Sequence, residues 1–459
     1  MRPNVSPHDR LRPGAGSRRL GLTATAAVAL MAWAGAAAPM YAAAWATPAP
    51  PKAYVALYGD NAVAVIDTGT NRVVKTIPVP PGPEGLVASP DGARVYATST
   101  SGSTVSVIST ATDRVVSTIE VGKNPQGLAI TRDGRLVLVA VFGASDVAVI
   151  DTIRNQVVAR IPVGNPHTVA ISPDDRTAYV TAQQPGAAGL AILDLAARQR
   201  VGMVPLDKTP RAANFSPDGT ALYFTQAGVN AVQVLDPTRN LVVAQIPTGA
   251  SPHLPIFTAT GAVELTVVQG PGELALVNPS TRTIIGTVAV GTFPHWAAPT
   301  ADGGTAYVTN EGANSVSVVD LEQRKVLATI PVGAAPRKIV LQPVPGSKAR
   351  ALTAPPTAST PSFGQAGSAP IAAASAASGG VRVKDFAFAP ATIRVTVGET
   401  VTWINADAIP HTSTSADQRW NSGPILPGTS FTVTFDKAGT YEYACMIHPF
   451  MHGTITVGN

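Results

Sequence analysis

One cysteine, Cys445, stands in 459 residues, so no disulfide can form within the chain. Charged residues are scarce at 13%. The formal net charge of +5 is misleading, because the first 46 residues hold Arg2, Arg10, Arg12, Arg18 and Arg19 against Asp9 alone. The remainder is close to neutral, which argues for no nucleic acid and no acidic membrane surface as partner. Past the N-terminal run, no segment is apolar for long enough to span a bilayer. Gly and Pro are abundant instead, at 41 each. That balance favours a β-rich chain with many turns, over a length that suits about two or three domains.

Residues 1–46 read as a signal peptide. Ser17-Arg18-Arg19 ends a basic stretch, Leu20 to Ala38 is an apolar run, and Ala44-Trp45-Ala46 fits the small-x-small cleavage rule. The mature chain then starts near Thr47, exported to the periplasm or beyond, with no stable membrane span. The Arg pair fits twin-arginine export, although Gly21 and Thr23 match that signal imperfectly; the general secretory route stays open.

Residues 47–345 repeat themselves. A Val-Ile-Asp motif ends at Asp67, Ser109, Asp151, Asp194, Asp236, Asn278 and Asp320, at spacings of 42 or 43 residues. Seven copies of this length, each with four short strands and turn signals, predict a seven-bladed β-propeller. The chain enters on a second strand at Ala53-Tyr54-Val55 and leaves on a first strand at Ile339, so the last blade is expected to combine both ends. Each first strand follows Pro83, Pro125, Pro166, Pro210, Pro252, Pro294 or Pro336. The next residues, Glu84, Gln126, His167, Arg211, His253, His295 and Arg337, should ring one channel mouth. Three imidazoles there could collect a metal. Arg211 and Arg337 would repel a cation and favour a small anionic or polar ligand, or a docking surface. The second strands, as in Tyr307-Val308-Thr309-Asn310, resemble the YVTN-type propeller repeats.

Residues 346–380 are rich in Pro, Ala, Ser and Thr and read as a linker, long enough to let the last domain swing or dock. Residues 381–459 read as strands again, including Val395 to Trp403, Phe431 to Phe435, Thr440 to Tyr443 and Gly453 to Val457. Their alternation predicts a small antiparallel sandwich. Between the last two strands lies Cys445-Met446-Ile447-His448-Pro449-Phe450-Met451. A thiolate, an imidazole and a thioether on one loop form a soft ligand set that suits copper. His411, 34 residues before the cysteine, supplies a second imidazole. A lone buried cysteine acting as a small hydrophobe is the bland alternative. The combination of four ligands of three types weighs against it. His452 reads as a surface residue.

His411 with Cys445-x-x-His448-x-x-Met451 resembles the cupredoxin pattern of the plastocyanin and amicyanin type. The resemblance implies a single type 1 copper centre with His411, Cys445, His448 and Met451 as ligands. It places Thr412 where hydrogen bonds tie the two ligand loops together. It also makes His448, ringed by Pro410, Met446, Ile447, Pro449 and Phe450, the electron port. A propeller followed by a cupredoxin resembles the layout of nitrous oxide reductase, but a binuclear copper centre of that kind requires two cysteines.

The expected function is an exported blue-copper electron carrier for a periplasmic redox partner, with the propeller as docking or ligand-binding scaffold, and the question of catalysis stays open. The alternatives are a copper-dependent periplasmic oxidoreductase with a substrate or second metal at the channel mouth, and a copper-binding or surface-interaction protein without turnover.

Overall fold

A computed structural model describes residues 50–344, 380–384, 386–407, 410–417, 419–423, 425–445 and 451–458. The expected signal peptide, and all of the linker except Gly380, lie outside the described residues. Regular structure among them is strand, apart from two single 3-10 turns, Phe142–Ala144 and Glu311–Ala313. No helix in them is long and apolar enough to cross a membrane.

Seven four-stranded antiparallel sheets form the propeller. Six are continuous in sequence, at 83–120, 125–162, 166–205, 210–247, 252–289 and 294–331, and are called blades one to six. The seventh combines Pro336–Leu341 with Lys52–Leu57, Ala62–Asp67 and Arg72–Pro78. Val55 pairs with Ile339 across its seam. Both chain ends of the domain thus share one blade, which leaves the ring without an open edge. First strands of neighbouring blades pack on one another all the way round.

Two polar devices repeat between blades. Each first strand is bulged just after its proline, as between Pro83 and Leu86 or Pro294 and Trp296. A bulge leaves ladder groups unpaired and re-aims a side chain. In blades one, three and six a threonine of the second strand meets that need. Thr98 accepts from Gly85 N–H at 2.8 Å, and Thr309 from Trp296 N–H at 3.0 Å. The same hydroxyls donate to the mouth-residue carbonyl of the next blade, Thr98 to Gln126 at 2.8 Å and Thr309 to Arg337 at 2.6 Å. The repeat tyrosine does the outer half. Tyr54 donates to Asp113 at 2.6 Å and Tyr307 to Asn71 at 2.8 Å. Both acceptors hold left-handed turn positions that favour Asn and Asp.

The C-terminal residues form a sandwich of two four-stranded sheets. One holds Gly380–Lys384, Ala387–Ala389, Thr400–Asn405 and Ser430–Thr434; the other holds Thr392–Thr396, Thr414–Ser415, Gly439–Ala444 and His452–Gly458. It is not purely antiparallel as expected. Gly380–Lys384 runs parallel to Thr400–Asn405, and Thr392–Thr396 parallel to His452–Gly458. The reason is a crossing between sheets. Gly398, at φ +93, breaks the run from Val395 to Trp403 into two strands on opposite sheets. Trp403 is fully buried between them, against Trp420, Phe431 and Tyr443.

The sandwich rests on the propeller. Ala227 and Phe293 of the propeller join its apolar core, and the Arg211 guanidinium lies 5.2 Å from the Phe386 ring.

One repeat position breaks the pattern. The residue before the repeat tyrosine is apolar in the other blades, as Ala53, Val95, Ala178, Leu222 and Ala306, but is Glu264 in blade five. Burial pushes its carboxyl up to about 8 from an ordinary 4.5, and a hydrogen bond from Thr266 only partly offsets this. The folded protein therefore keeps a proton that the unfolded chain releases. Stability should fall as pH rises from about 4.5 to about 8 and then level off. The slope is at most about 1.4 kcal/mol per pH unit. Glu264→Gln should flatten this dependence, so that its melting temperature exceeds the parent's at pH 8.5 by more than at pH 5. Parallel melting curves for the two proteins across that window would contradict it.

Candidate metal centre and propeller mouth

Cys445 follows strand Gly439–Ala444, and Met451 precedes strand His452–Gly458. The Cys445 amide donates to the Met451 carbonyl at 3.1 Å, closing the base of the loop between them. Cys445 is fully buried and Met451 nearly so. His411 arrives from another loop and is fully buried as well. Its backbone exchanges two hydrogen bonds with Ile425, at 3.1 and 2.6 Å. The imidazole Nδ1 lies 3.9 Å from Cys445 Sγ. That is the separation of two donors roughly 2.0–2.3 Å from one shared ion. The Thr412 amide points at the same sulfur, 3.3 Å away. His448 lies outside the described residues, as do Met446, Ile447, Pro449 and Phe450. Pro410 sits with Leu426 and Pro427 in a groove against propeller residues including Phe293.

Asp407, which the sequence reading did not single out, completes the arrangement. Its carboxylate accepts from His411 Nε2 at 2.8 Å. A carboxylate can only accept when ionised, so it fixes the ring tautomer and leaves Nδ1 facing the sulfur. Burial opposes a charge on His411, but Asp407 and Cys445 outweigh it and raise its pKa. The signal was present in sequence: an acid four residues before the histidine, on the same loop. Thiolate, oriented imidazole and buried thioether together fit a copper ion.

The propeller mouth faces this site. Glu84, Gln126, His167, Arg211, His253, His295 and Arg337 all line one cavity of about 390 Å³, together with Cys445, Ala444 and the exposed His452. The ring locks itself. His167 Nδ1 bonds the Arg211 carbonyl at 2.9 Å, and His253 Nδ1 the His295 carbonyl at 3.1 Å. Arg337 bridges Glu84 at 2.9 Å and Glu311 at 3.0 Å. Burial works against its charge, but those two carboxylates hold its pKa above the ordinary arginine value. Burial lowers the pKa of His167 and, further, that of His295. Among the described residues, no three His, Cys, Asp or Glu side chains are placed to hold a metal ion. Sequence reasoning missed Glu311, which follows the YVTN-like strand of blade six, where the matching turn of blade two carries the apolar Phe142.

Residues 360–457 match the cupredoxin-like domain family, and residues 34–131 match the YNCE-like β-propeller family. The chain is 38% identical over 96 residues to amicyanin of Paracoccus denitrificans, covering 19% of this chain and 72% of that protein. The chain belongs to the cupredoxin family. Plastocyanin of Scenedesmus fuscus is 37% identical to it over 83 residues, which cover 15% of this chain and 85% of the plastocyanin. A chain of Kuenenia stuttgartiensis hydrazine synthase superposes with a TM-score of 0.55 at 21% identity, covering 58% of this chain and 91% of that one. At that identity the likeness is one of fold alone.

The cupredoxin domain's Asp407 offers a direct test of how the imidazole is held. Asp407→Asn keeps the shape but loses the charge that fixes the tautomer. Copper affinity, measured by competition with a chelator, should fall by roughly 10- to 100-fold, since losses of that size follow removal of such partners. An unchanged affinity would mean that the backbone alone orients His411.

Proposed function

We propose that this protein is an exported electron carrier whose cupredoxin domain holds one type 1 copper, docked on the propeller as its platform. The reading is carried by the buried pair of Cys445 Sγ and His411 Nδ1, 3.9 Å apart, with Asp407 behind the ring. His448 and Met451 would complete the ligand set, as in the sequence pattern of the family. Bound copper supplies a one-electron oxidation and reduction. The chain's own residues do the rest. The sandwich core around Trp403 and Tyr443 holds both ligand loops, so the donors move little when the charge changes. Cys445 and His411 are both fully buried, which keeps the two donors off the outer surface. The Thr412 amide stabilises charge on the sulfur. A periplasmic redox protein is the partner, and residues 1–46 are the export signal.

Purified mature protein should contain one copper per chain and show an intense visible thiolate band. Cys445→Ser should abolish the band while circular dichroism stays β-rich, because strands and not the metal carry the core. A blue Cys445→Ser protein would refute the ligand assignment.

A second reading, a copper-dependent oxidoreductase, draws on one observation: the cavity at the propeller mouth has Cys445 in its wall. A second tightly bound metal on the propeller would favour it.

A further inference from the structure

The two arginines at the mouth are not equivalent. Arg337 is neutralised by Glu84 and Glu311. Arg211 meets neutral acceptors: Ser251 Oγ at 2.8 Å, the Pro252 carbonyl at 3.4 Å and Gln269 Oε1 at 2.7 Å. Phe386 of the cupredoxin domain covers its face. Among the described residues no carboxylate pairs with it, although it is only 4% exposed. A buried cation without a counter-charge is a costly arrangement. Burial lowers the Arg211 pKa to about 9, which leaves it charged at neutral pH.

The surroundings keep that charge unmatched. His167 and His295 are held neutral by burial. Among the described residues that line the cavity or pair with its lining, Lys123, Arg211 and Arg337 face Glu84 and Glu311, an excess of one positive charge. A metal cation is disfavoured by the same arrangement. Exposed Ser101, Lys123 and His452 stand in the cavity wall and mark a way in from solvent. The volume, about 390 Å³, is that of a small-molecule site.

We propose that this cavity binds a small anion with two coplanar oxygens, a carboxylate or an oxyanion of that shape, anchored on the Arg211 guanidinium. The planar fork matches such a ligand in a bidentate fashion. Phe386 fixes the plane of the fork, and Gln269 fixes its rotation. The ligand therefore lies between the propeller and the cupredoxin domain, in the cavity that Cys445 also lines.

The test uses the metal-free full-length mature chain, titrated with sodium acetate and, separately, sodium nitrate by calorimetry in neutral, chloride-free buffer. One site per chain is expected for at least one of them, and the two arms tell a carboxylate from an inorganic oxyanion. Gln269→Glu places a carboxylate on the same guanidinium with little change of shape. It should weaken binding by roughly tenfold or more, as should Arg211→Gln, with circular dichroism unchanged for Gln269→Glu. No binding of either anion by the parent protein, or undiminished binding by Gln269→Glu, would overturn the proposal. Because the protein carries no copper in this experiment, its outcome is independent of the electron-carrier reading.

Discussion

The mouth of this propeller depends on a bulge in each first strand, which a threonine hydroxyl completes in blades one, three and six. A bulged first strand turns the residue after each proline out of the ladder and toward the channel, leaving a backbone N–H without its partner. Thr98, Thr181 and Thr309 accept from those N–H groups, at 2.8, 2.8 and 3.0 Å. Two of them also donate to the carbonyl of the next mouth residue. Without that second bond each blade would still form, but the ring would lose the link that sets one mouth residue relative to the next. The side chains extend the chain of links, with His167 and His253 each bonded to the following blade's carbonyl. The polar ring is thus built into the ladder chemistry of the repeat.

Ring closure depends on the same economy of edges. A propeller made of seven sequence-continuous blades would meet only through side chains at its seam. Here Lys52–Leu57 pairs with Pro336–Leu341 by backbone hydrogen bonds, so the first and last strands of the domain cannot separate without breaking a sheet. Tyr307 reaches across to Asn71 on the outer side of the same seam. The platform under the cupredoxin domain is therefore joined into a ring by backbone pairing within its seventh blade and by a side-chain bond between blades six and seven.

How much of this could be read from the sequence follows from which signals are periodic. The spacing of Asp67, Asp151, Asp236 and Asp320 placed the blades, and Pro166, Pro252 and Pro294 placed the imidazoles of the mouth, because each recurs once per repeat. His411, Cys445 and Met451 were legible from ligand chemistry. What escaped has no period. Glu311 is an acid on a 3-10 turn whose equivalent in blade two carries Phe142, and Glu264 sits where the pattern asks for an apolar residue. The parallel strand pairs were missed because Gly398 redirects the chain between sheets, which alternation alone does not register. The contact of Phe386 with Arg211 joins residues far apart in sequence and on different domains. Only packing brings them together, and no local pattern announces it.

That contact changes how the two domains relate. A cupredoxin carried on a long linker would present its copper end to any partner in solution. In the docked arrangement Pro410, Leu426 and Pro427 lie against the propeller, and Ala444 and Cys445 line one cavity with a ring of histidines and arginines. Cys445 and the mouth residues thus stand in the same cavity wall. A change of charge at the ligand cluster is therefore felt across the cavity in a medium that screens poorly. By the same coupling, whatever charge occupies the cavity bears on the energy of adding an electron beside Cys445. The propeller is in this sense part of the electrostatic environment of the cupredoxin site, as well as the surface on which that domain rests.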